Sequence, residues 1–183
     1  MAALSRHWAA DISYVWFHQL GPADWFGGSE RVDALLAQRF AKDWRGLRQR
    51  PAHEFLGSPD LARAAVLLFD QVPRNMFRSD PRAFASDPLA CTIANAALDQ
   101  GWHMKMSRDQ VQFLAMPLMH SEHLSDQDRC TRIFAQHVPH ALSFARSHHR
   151  LIARFGRFPH RNEVLGRATT AAEQRAIDAG FSW

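Results

Sequence analysis

Three short segments of the sequence carry more polar groups than the packing of helices requires. The first, residues 67–84, has Asp70 at the end of an apolar stretch, followed by Arg74 and Arg78 between two prolines. A carboxylate can fix the orientation of neighbouring guanidinium groups, and a pair of oriented guanidinium groups suits a carboxylate or phosphate ligand. The alternative is structural, with Asp70 pairing with Arg74 only to tie a helix end to the following turn.

The second segment, residues 117–124, places His120 and His123 three residues apart, with Glu122 between them. On a helix the two imidazoles would share one face, so metal binding is one interpretation. The spacing differs from the i, i+4 pair of metalloproteases, however, and no third ligand is evident. We therefore predict no bound metal and no cofactor. The alternative role of the segment is to satisfy backbone groups near its proline.

The third segment, residues 148–167, begins with a histidine in an apolar stripe and ends in a polar turn. His148 falls on the same predicted helix face as Leu151 and Phe155, and a single core histidine is usually hydrogen-bonded to a neighbour. The turn around Phe158 crowds four hydrogen-bonding side chains: Arg157, His160, Arg161 and Asn162. Burying so many donors without acceptors would cost several kcal/mol, so carboxylates or an anionic ligand must meet them. The candidate internal partners are Asp70, Asp87 and Glu122.

We predict that these three segments converge on one site, because antiparallel helical hairpins bring successive loops to the same end of a helical array. The predicted site brings together four arginines and two carboxylates: Arg74, Arg78, Arg157 and Arg161 with Asp70 and Glu122. Its surplus of positive charge should attract an anion such as phosphate, sulfate or a carboxylate. The alternative is a closed network of ion pairs with no room for a ligand.

The elements that must position these residues are helices. Helix signals recur along the chain, whereas the alternation typical of strands is nearly absent. The Ser-Pro and Asp-Pro pairs at 58–59 and 87–88 are typical helix starts, and Gly101 and Gly156 are typical of helix ends. Further boundaries are expected at a helix-ending Pro73, an interrupting Pro117, a capping Ser125 and a capping box formed by Thr170 and Glu173.

These signals predict an all-α fold, a single domain over residues 1–183 built as an irregular array of about eight helices. The predicted core includes large apolar side chains at helical spacing: Trp16, Leu68, Phe69, Phe84, Phe113, Phe144, Leu151 and Phe155. On the helix that carries His148, the face with Arg146, Arg150 and Arg154 should point to solvent.

The composition is that of a folded, soluble protein. Six tryptophans and thirteen phenylalanines among 183 residues argue against disorder, because so much aromatic surface must be buried. No apolar run approaches the ~20 residues of a membrane span. The N-terminal residues show no signal-peptide pattern, so we expect a cytoplasmic protein. Cys91 and Cys130 fit helix packing better than metal binding or a disulfide.

The net charge of +4 could indicate an acidic partner. The cations, however, are nearly all arginines, with Lys42 and Lys105 as the exceptions, and they are spread along the chain. No basic tail or known nucleic-acid-binding module stands out, so we do not predict nucleic-acid binding.

The sequence resembles a known family in the strings FDQVPRNMFR and AFASD (69–78 and 83–87), PLMHSEHL (117–124), and FGRFPHRNEVLGR with TTAAE (155–173). These strings are similar to those of the bacterial domain-of-unknown-function 924 family, and the resemblance runs from about residue 11 onward. It implies an all-α fold similar to tetratricopeptide-repeat hairpins, but no activity. The positions that it singles out are Asp70, Gln71, Arg74, Asn75, Arg78, His120, Ser121, Glu122, His148, Arg157, His160, Arg161 and Asn162. The chain departs from the pattern after the helix histidine, where His149 and Arg150 replace the more common Arg-Asp.

Two functional hypotheses follow. We favour a binding or interaction module with a buried Arg-, His- and Asp-lined site for an anionic group, serving an anionic small molecule or a peptide or protein partner. The alternative is a small-molecule enzyme in which His120, His148 or His160 acts as acid or base on an anionic substrate, since histidine titrates near neutral pH. Neither hypothesis fixes the oligomeric state.

Overall fold

The computed structural model describes residues 7–180, and every regular element in this range is helical, as predicted. The α-helices are α1 (His7–Tyr14), α2 (Pro22–Phe26), α3 (Glu30–Leu47), α4 (Pro59–Val66), α5 (Val72–Met76), α6 (Asp87–Asp99), α7 (Arg108–His120), α8 (Leu124–His137), α9 (Leu142–Phe155) and α10 (Ala171–Asp178). None of the helices in the described range combines the length and the apolar character that crossing a bilayer requires.

Shorter helical segments join these elements. Two are π-helical: Val15–Gln19 continues α1, and Leu67–Gln71 joins α4 to α5. The others are 3-10 turns at Ala52–Phe55, Pro81–Phe84, Trp102–Lys105, Pro139–Ala141 and Pro159–Arg161.

Most of the predicted helix boundaries are confirmed. Ser58 caps α4 by accepting a hydrogen bond from the Leu61 amide at 3.2 Å, and Thr170 and Glu173 form the predicted capping box of α10. Gly156 ends α9 with a left-handed φ of 67°, a conformation that glycine adopts without strain. The prediction for Ser125 was wrong. Helix α8 already begins at Leu124, so Ser125 lies inside its first turn.

Pro73 does not end its helix, contrary to prediction. The chain stays helical through Leu67–Gln71 and on into α5. Pro73 has no N–H to donate to the Phe69 carbonyl four residues earlier, which normally weakens a helix. Here the hydroxyl of Ser86 donates to that carbonyl at 2.7 Å and accepts from the Trp44 indole N–H at 2.9 Å. This tertiary contact compensates locally for the missing backbone donor.

Pro117 does not interrupt α7 either, because the helix continues to His120. Nearly every residue of α7 from Val111 onward is buried, Pro117 included. Most helix stability in proteins comes from tertiary packing, and this burial explains why one proline does not break α7.

The packing order positions the polar segments. From α6 to α9 each α-helix packs against the next, and the π-helical segment Leu67–Gln71 contacts both α6 and α7. Helix α7 also contacts α9. The π-helical segment, which carries Asp70, therefore meets the helices that carry Asp87 and His120. The similarity of this array to tetratricopeptide-repeat hairpins stays a prediction.

Most of the predicted core is confirmed. Five of the predicted side chains are buried: Trp16, Leu68, Phe69, Phe113 and Leu151. Phe84 and Phe155 are only partly buried. Phe144 was predicted wrongly, because 59% of it is exposed. Helix α9 turns Ala145, His148 and Ile152 inward, which rotates Phe144 out toward solvent.

Candidate functional site

Asp70 lies at the centre of a buried polar cluster. Its side chain has no exposed surface, and its Oδ1 atom lies 2.7 Å from His120 Nδ1 and 3.1 Å from Arg74 Nη1. The Gln71 amide donates to the other carboxylate oxygen. Burial opposes ionisation of Asp70, but the Arg74 charge and the hydrogen bonds from His120 and Gln71 outweigh it and lower the pKa to about 2. Asp70 is therefore a buried, ionised acceptor.

Two backbone carbonyls of the π-helical segment Leu67–Gln71 accept hydrogen bonds from side chains. Arg74 donates to the Asp70 carbonyl, and Asn75 donates to the Gln71 carbonyl at 3.1 Å. These carbonyls lie where a π-helical turn meets a proline, and such turns often occur at functional sites.

Arg74 is the most completely paired arginine of the cluster. It makes a bidentate ion pair with Asp87, at 2.9 Å from Nη1 to Oδ1 and 2.9 Å from Nη2 to Oδ2. Burial alone would lower the pKa of Arg74, but the carboxylates of Asp70 and Asp87 raise it. Asp87 was expected to start α6 as its cap. The cap position is occupied by Ser86 instead, and Asp87 is the first residue of α6.

Arg161 enters the cluster from the turn Pro159–Arg161. Only 8% of its side chain is exposed, and its guanidinium carbon lies 4.4 Å and 4.6 Å from the ring centroids of Phe158 and Phe84. Its polar contacts involve Nη1, at 3.1 Å from the His120 carbonyl and 3.7 Å from Asp87 Oδ2. Its buried Nε has no hydrogen-bond partner among the described residues. Burial and the nearby Arg74 lower the pKa of Arg161 to about 10.

The histidines of the cluster are neutral at pH 7. Burial and the charge of Arg74 lower the pKa of His120, despite the opposing effect of Asp70. Burial and neighbouring His120 lower the pKa of His148 to about 3, and its Nδ1 lies 2.9 Å from the Phe144 carbonyl. Because Asp70 is an ionised acceptor, the proton of neutral His120 belongs on Nδ1, which leaves a lone pair on Nε2.

We call these residues the Asp70 cluster: Asp70, Gln71, Arg74, Asp87, His120, His148 and Arg161. His160 lies at its edge, with its ring centroid 5.6 Å from that of Phe158. Burial, followed by the charge of Arg161, lowers the pKa of His160 to about 4.

Glu122 holds the end of α7 against the turn that carries Arg161. Its carboxylate accepts the Phe158 amide at 2.8 Å and both terminal nitrogens of Arg167, at 2.8 Å and 3.1 Å. Although burial opposes ionisation, these hydrogen bonds and charges lower the pKa of Glu122. Glu122 therefore positions the turn, and its charge is balanced by Arg167.

Three of the predicted site residues have partners outside the Asp70 cluster. Arg78 pairs with Asp33 of α3 at a half-exposed position, with Nη2 2.8 Å from Oδ1. Arg157 pairs with Glu173 at 2.6 Å. Asn162 donates to Thr169 Oγ1 at 3.3 Å.

The expected surplus of four arginines over two carboxylates therefore does not occur. Arg78 and Arg157 are neutralised elsewhere, and Asp87 adds a carboxylate to the cluster. Asp70 and Asp87 thus face Arg74 and Arg161, two charges of each sign.

Some partners could not be identified from the sequence. Arg167 was present only as the last residue of a polar segment, and Asp33 carried no signal because it lies on a distant helix. Glu173 was predicted only as part of a capping box, but its carboxylate serves Arg157 as well as the Thr170 amide. In the described part of the chain, no three His, Cys, Asp or Glu side chains group together in a way that could hold a metal ion.

A family model described as "Bacterial protein of unknown function (DUF924)" matches residues 12–180. The chain belongs to this family. A solved structure of a protein of unknown function, ATU0120 from Agrobacterium tumefaciens, is similar to this DUF924 chain, with a TM-score of 0.88 and 34% sequence identity. The match covers 94% of this DUF924 chain and 97% of the other. No curated protein gives a significant match. The family predicted from the sequence is thereby confirmed.

Proposed function

We propose that this DUF924 protein binds the anionic group of a small molecule or peptide at Arg161. The observation that carries the proposal is the buried Nε of Arg161, which has no hydrogen-bond partner among the described residues. Leaving a buried donor unpaired costs about 1–3 kcal/mol, and more when the group is charged. An anion at this position would satisfy the donor and stabilise the charge of the guanidinium.

The geometry of the guanidinium supports a bidentate contact. Arg161 uses Nη1 for its contacts with the His120 carbonyl and Asp87, whereas the buried Nε has no acceptor among the described residues. Two parallel N–H groups of a guanidinium match the two oxygens of a carboxylate. The rings of Phe84 and Phe158 beside the guanidinium exclude water, which strengthens an ionic contact.

The charge balance favours a singly charged group. Arg74 is already paired with Asp70 and Asp87, so Arg161 is the remaining cation in the cluster whose charge is poorly compensated. A phosphate dianion would meet repulsion from both carboxylates, whereas a carboxylate monoanion would meet less. We therefore favour a carboxylate over phosphate as the bound group.

A thermal-shift experiment tests the proposal. A ligand that binds only the folded state stabilises it by about 2.7 kcal/mol at 100 times its Kd, and a shift of this kind is readily measured. We expect acetate or benzoate to raise the Tm more than chloride at equal ionic strength. Arg161→Gln should abolish the difference, whereas Arg132→Gln, which removes an exposed arginine of α8, should leave it intact.

The stability of Arg161→Gln separates the proposal from a purely structural role. If Arg161 is a ligand-binding residue, removing its poorly compensated charge should change the free energy of unfolding by less than about 1 kcal/mol. If it is part of a closed ion-pair network, the same change should cost several kcal/mol. A carboxylate shift that survives in a folded Arg161→Gln variant would contradict the proposal.

A second candidate function is acid–base catalysis by His120. The contact of 2.7 Å between Asp70 and Nδ1 favours it, because a carboxylate that orients an imidazole leaves the other nitrogen as a proton acceptor. Hydrolysis of p-nitrophenyl acetate, a general acyl substrate, provides a test. The protein should hydrolyse it faster than a folded His120→Gln variant, and equal rates would exclude this role for that substrate class.

A further inference from the structure

A second concentration of positive charge differs from the Asp70 cluster, because its arginines are exposed and line a groove. A groove of about 270 Å³ runs between α9 and α10, and three arginines line it: Arg150 and Arg154 from α9, and Arg175 from α10. All three side chains are exposed. Arg150 and Arg154 lie one helical turn apart, about 6 Å along the axis.

No ion pair within the described part of the chain balances the charge of this groove. None of the residues that line it is acidic, and none of its three arginines forms an ion pair within residues 7–180. The ion pairs that the structure gives on these two helices involve other residues: His149 pairs with Asp128, and Glu173 pairs with Arg157. The groove therefore keeps its positive potential, unlike the balanced Asp70 cluster.

The floor of the groove is apolar. Leu151, Ala172 and Ala176 line it, and the small alanines of α10 leave space above Leu151. An engineered cavity of about 150 Å³ accommodates a benzene ring, so this groove has room for one or two apolar side chains. A rim of cations around an apolar floor is complementary to an amphipathic, acidic segment.

We propose that this groove binds an acidic amphipathic helix of a partner protein. Apolar side chains of the helix would fill the floor, and carboxylates one turn apart would face Arg150 and Arg154, which is a common way for helices to dock in grooves. Nucleic acid fits less well, because no aromatic side chain lines the groove to stack on a base. The proposal is independent of the carboxylate site at Arg161.

A fluorescence-anisotropy titration tests this proposal with a labelled helical peptide of about 15 residues, which carries glutamates at i and i+4 beside a leucine stripe. We expect saturable binding that weakens as salt is added. Arg150→Glu/Arg154→Glu should weaken it by about tenfold or more. The matched control Arg45→Glu/Arg132→Glu makes the same change in net charge at exposed arginines of α3 and α8, and should bind like the unmodified protein.

Two further arms identify the occupant. Ala179→Phe adds no charge but fills the groove from an exposed position at its rim, so it should also weaken the peptide. A peptide with glutamine in place of glutamate should bind weakly. Equal binding by the groove and control variants would overturn the proposal, as would tighter binding of a single-stranded oligonucleotide or of phosphatidylserine vesicles than of the acidic peptide. Failure to bind any of these probes would overturn it too.

Discussion

The two sides of the Asp70 cluster hold arginines in opposite states. On the side formed by Leu67–Gln71 and α6, Arg74 makes a bidentate ion pair with Asp87 and a second contact with Asp70, and its pKa is raised. On the side formed by the turn Pro159–Arg161, the buried Nε of Arg161 lacks a partner among the described residues, and its pKa is lowered to about 10. The guanidinium of Arg74, whose side chain is 20% exposed, is therefore saturated with partners, whereas that of Arg161, whose side chain is 8% exposed, is not.

This difference distinguishes an arginine that is paired within the protein from one whose Nε lacks an acceptor among the described residues. A saturated buried pair holds elements together, and breaking it leaves an uncompensated charge. An unsaturated buried cation is costly unless something else supplies the missing acceptor. The comparison supports a structural role for Asp70, Arg74 and Asp87, and it is the basis of our proposal that Arg161 binds a ligand.

The largest expected effect is on the saturated side. Asp70→Asn removes a charge that balances Arg74 and one of the two acceptor oxygens that serve His120 and Gln71, and should lower the free energy of unfolding by about 3–5 kcal/mol. Urea denaturation measures it. Asp99→Asn, whose carboxylate is 67% exposed and pairs with Arg129, is the control and should cost less than about 1 kcal/mol. Equal losses of unfolding free energy in Asp70→Asn and Asp99→Asn would contradict the structural role of the Asp70 ion pair.

A smaller effect is expected where Ser86 supports the backbone next to Pro73. Ser86→Ala removes the donor to the Phe69 carbonyl and the acceptor of the Trp44 indole, both buried, and should cost about 2 kcal/mol. Thr92→Ala, which removes an exposed hydroxyl bonded to the Pro88 carbonyl, should be nearly neutral in the same urea titration. A neutral Ser86→Ala would show that the helix tolerates Pro73 without this contact.

The smallest expected effect is a pH dependence from buried neutral histidine. Burial lowers the pKa of His148 from 6.5 to about 3, so the unfolded chain binds the proton more readily than the folded chain between these values. The contribution of neutral His148 to the free energy of unfolding is therefore fully present above pH 6.5. It is lost as the pH falls below this value, by about 1 kcal/mol per pH unit. Urea midpoints at pH 7.5 and 5.5 measure the loss. His148→Gln should flatten this slope, and an unchanged slope would contradict the assignment.

The fold was largely predictable because its signals are local. Capping residues and terminal glycines act within a few residues of the helix ends that they mark, so Ser58 and Gly156 could be interpreted from the sequence. Pro73 misled the prediction because its compensation is tertiary, coming from Ser86 on another element. Phe144 misled it because a stripe of apolar residues leaves the rotation of a helix uncertain by one position.

The candidate site was predictable only in outline. Asp70, Arg74, His120, His148 and Arg161 were expected to meet, and the structure brings them together. The sequence could not say which arginine would find which carboxylate, because Arg78 and Arg157 are matched by partners 45 and 16 residues away along the chain. Charge counted along a sequence overstates the charge of a site when such distant partners are ignored.

We propose that Arg161, and not Arg74, binds an anionic ligand. The most direct test is ¹⁵N NMR of the arginine Nε–H groups during titration with acetate or benzoate, with signals assigned from Arg161→Lys and Arg74→Lys. We expect the Nε–H signal of Arg161 to shift progressively and saturate, because a carboxylate gives it the acceptor that it lacks. The signal of Arg74 should stay in place. A saturable shift at Arg74, or no shift at Arg161 with any carboxylate tested, would contradict the account.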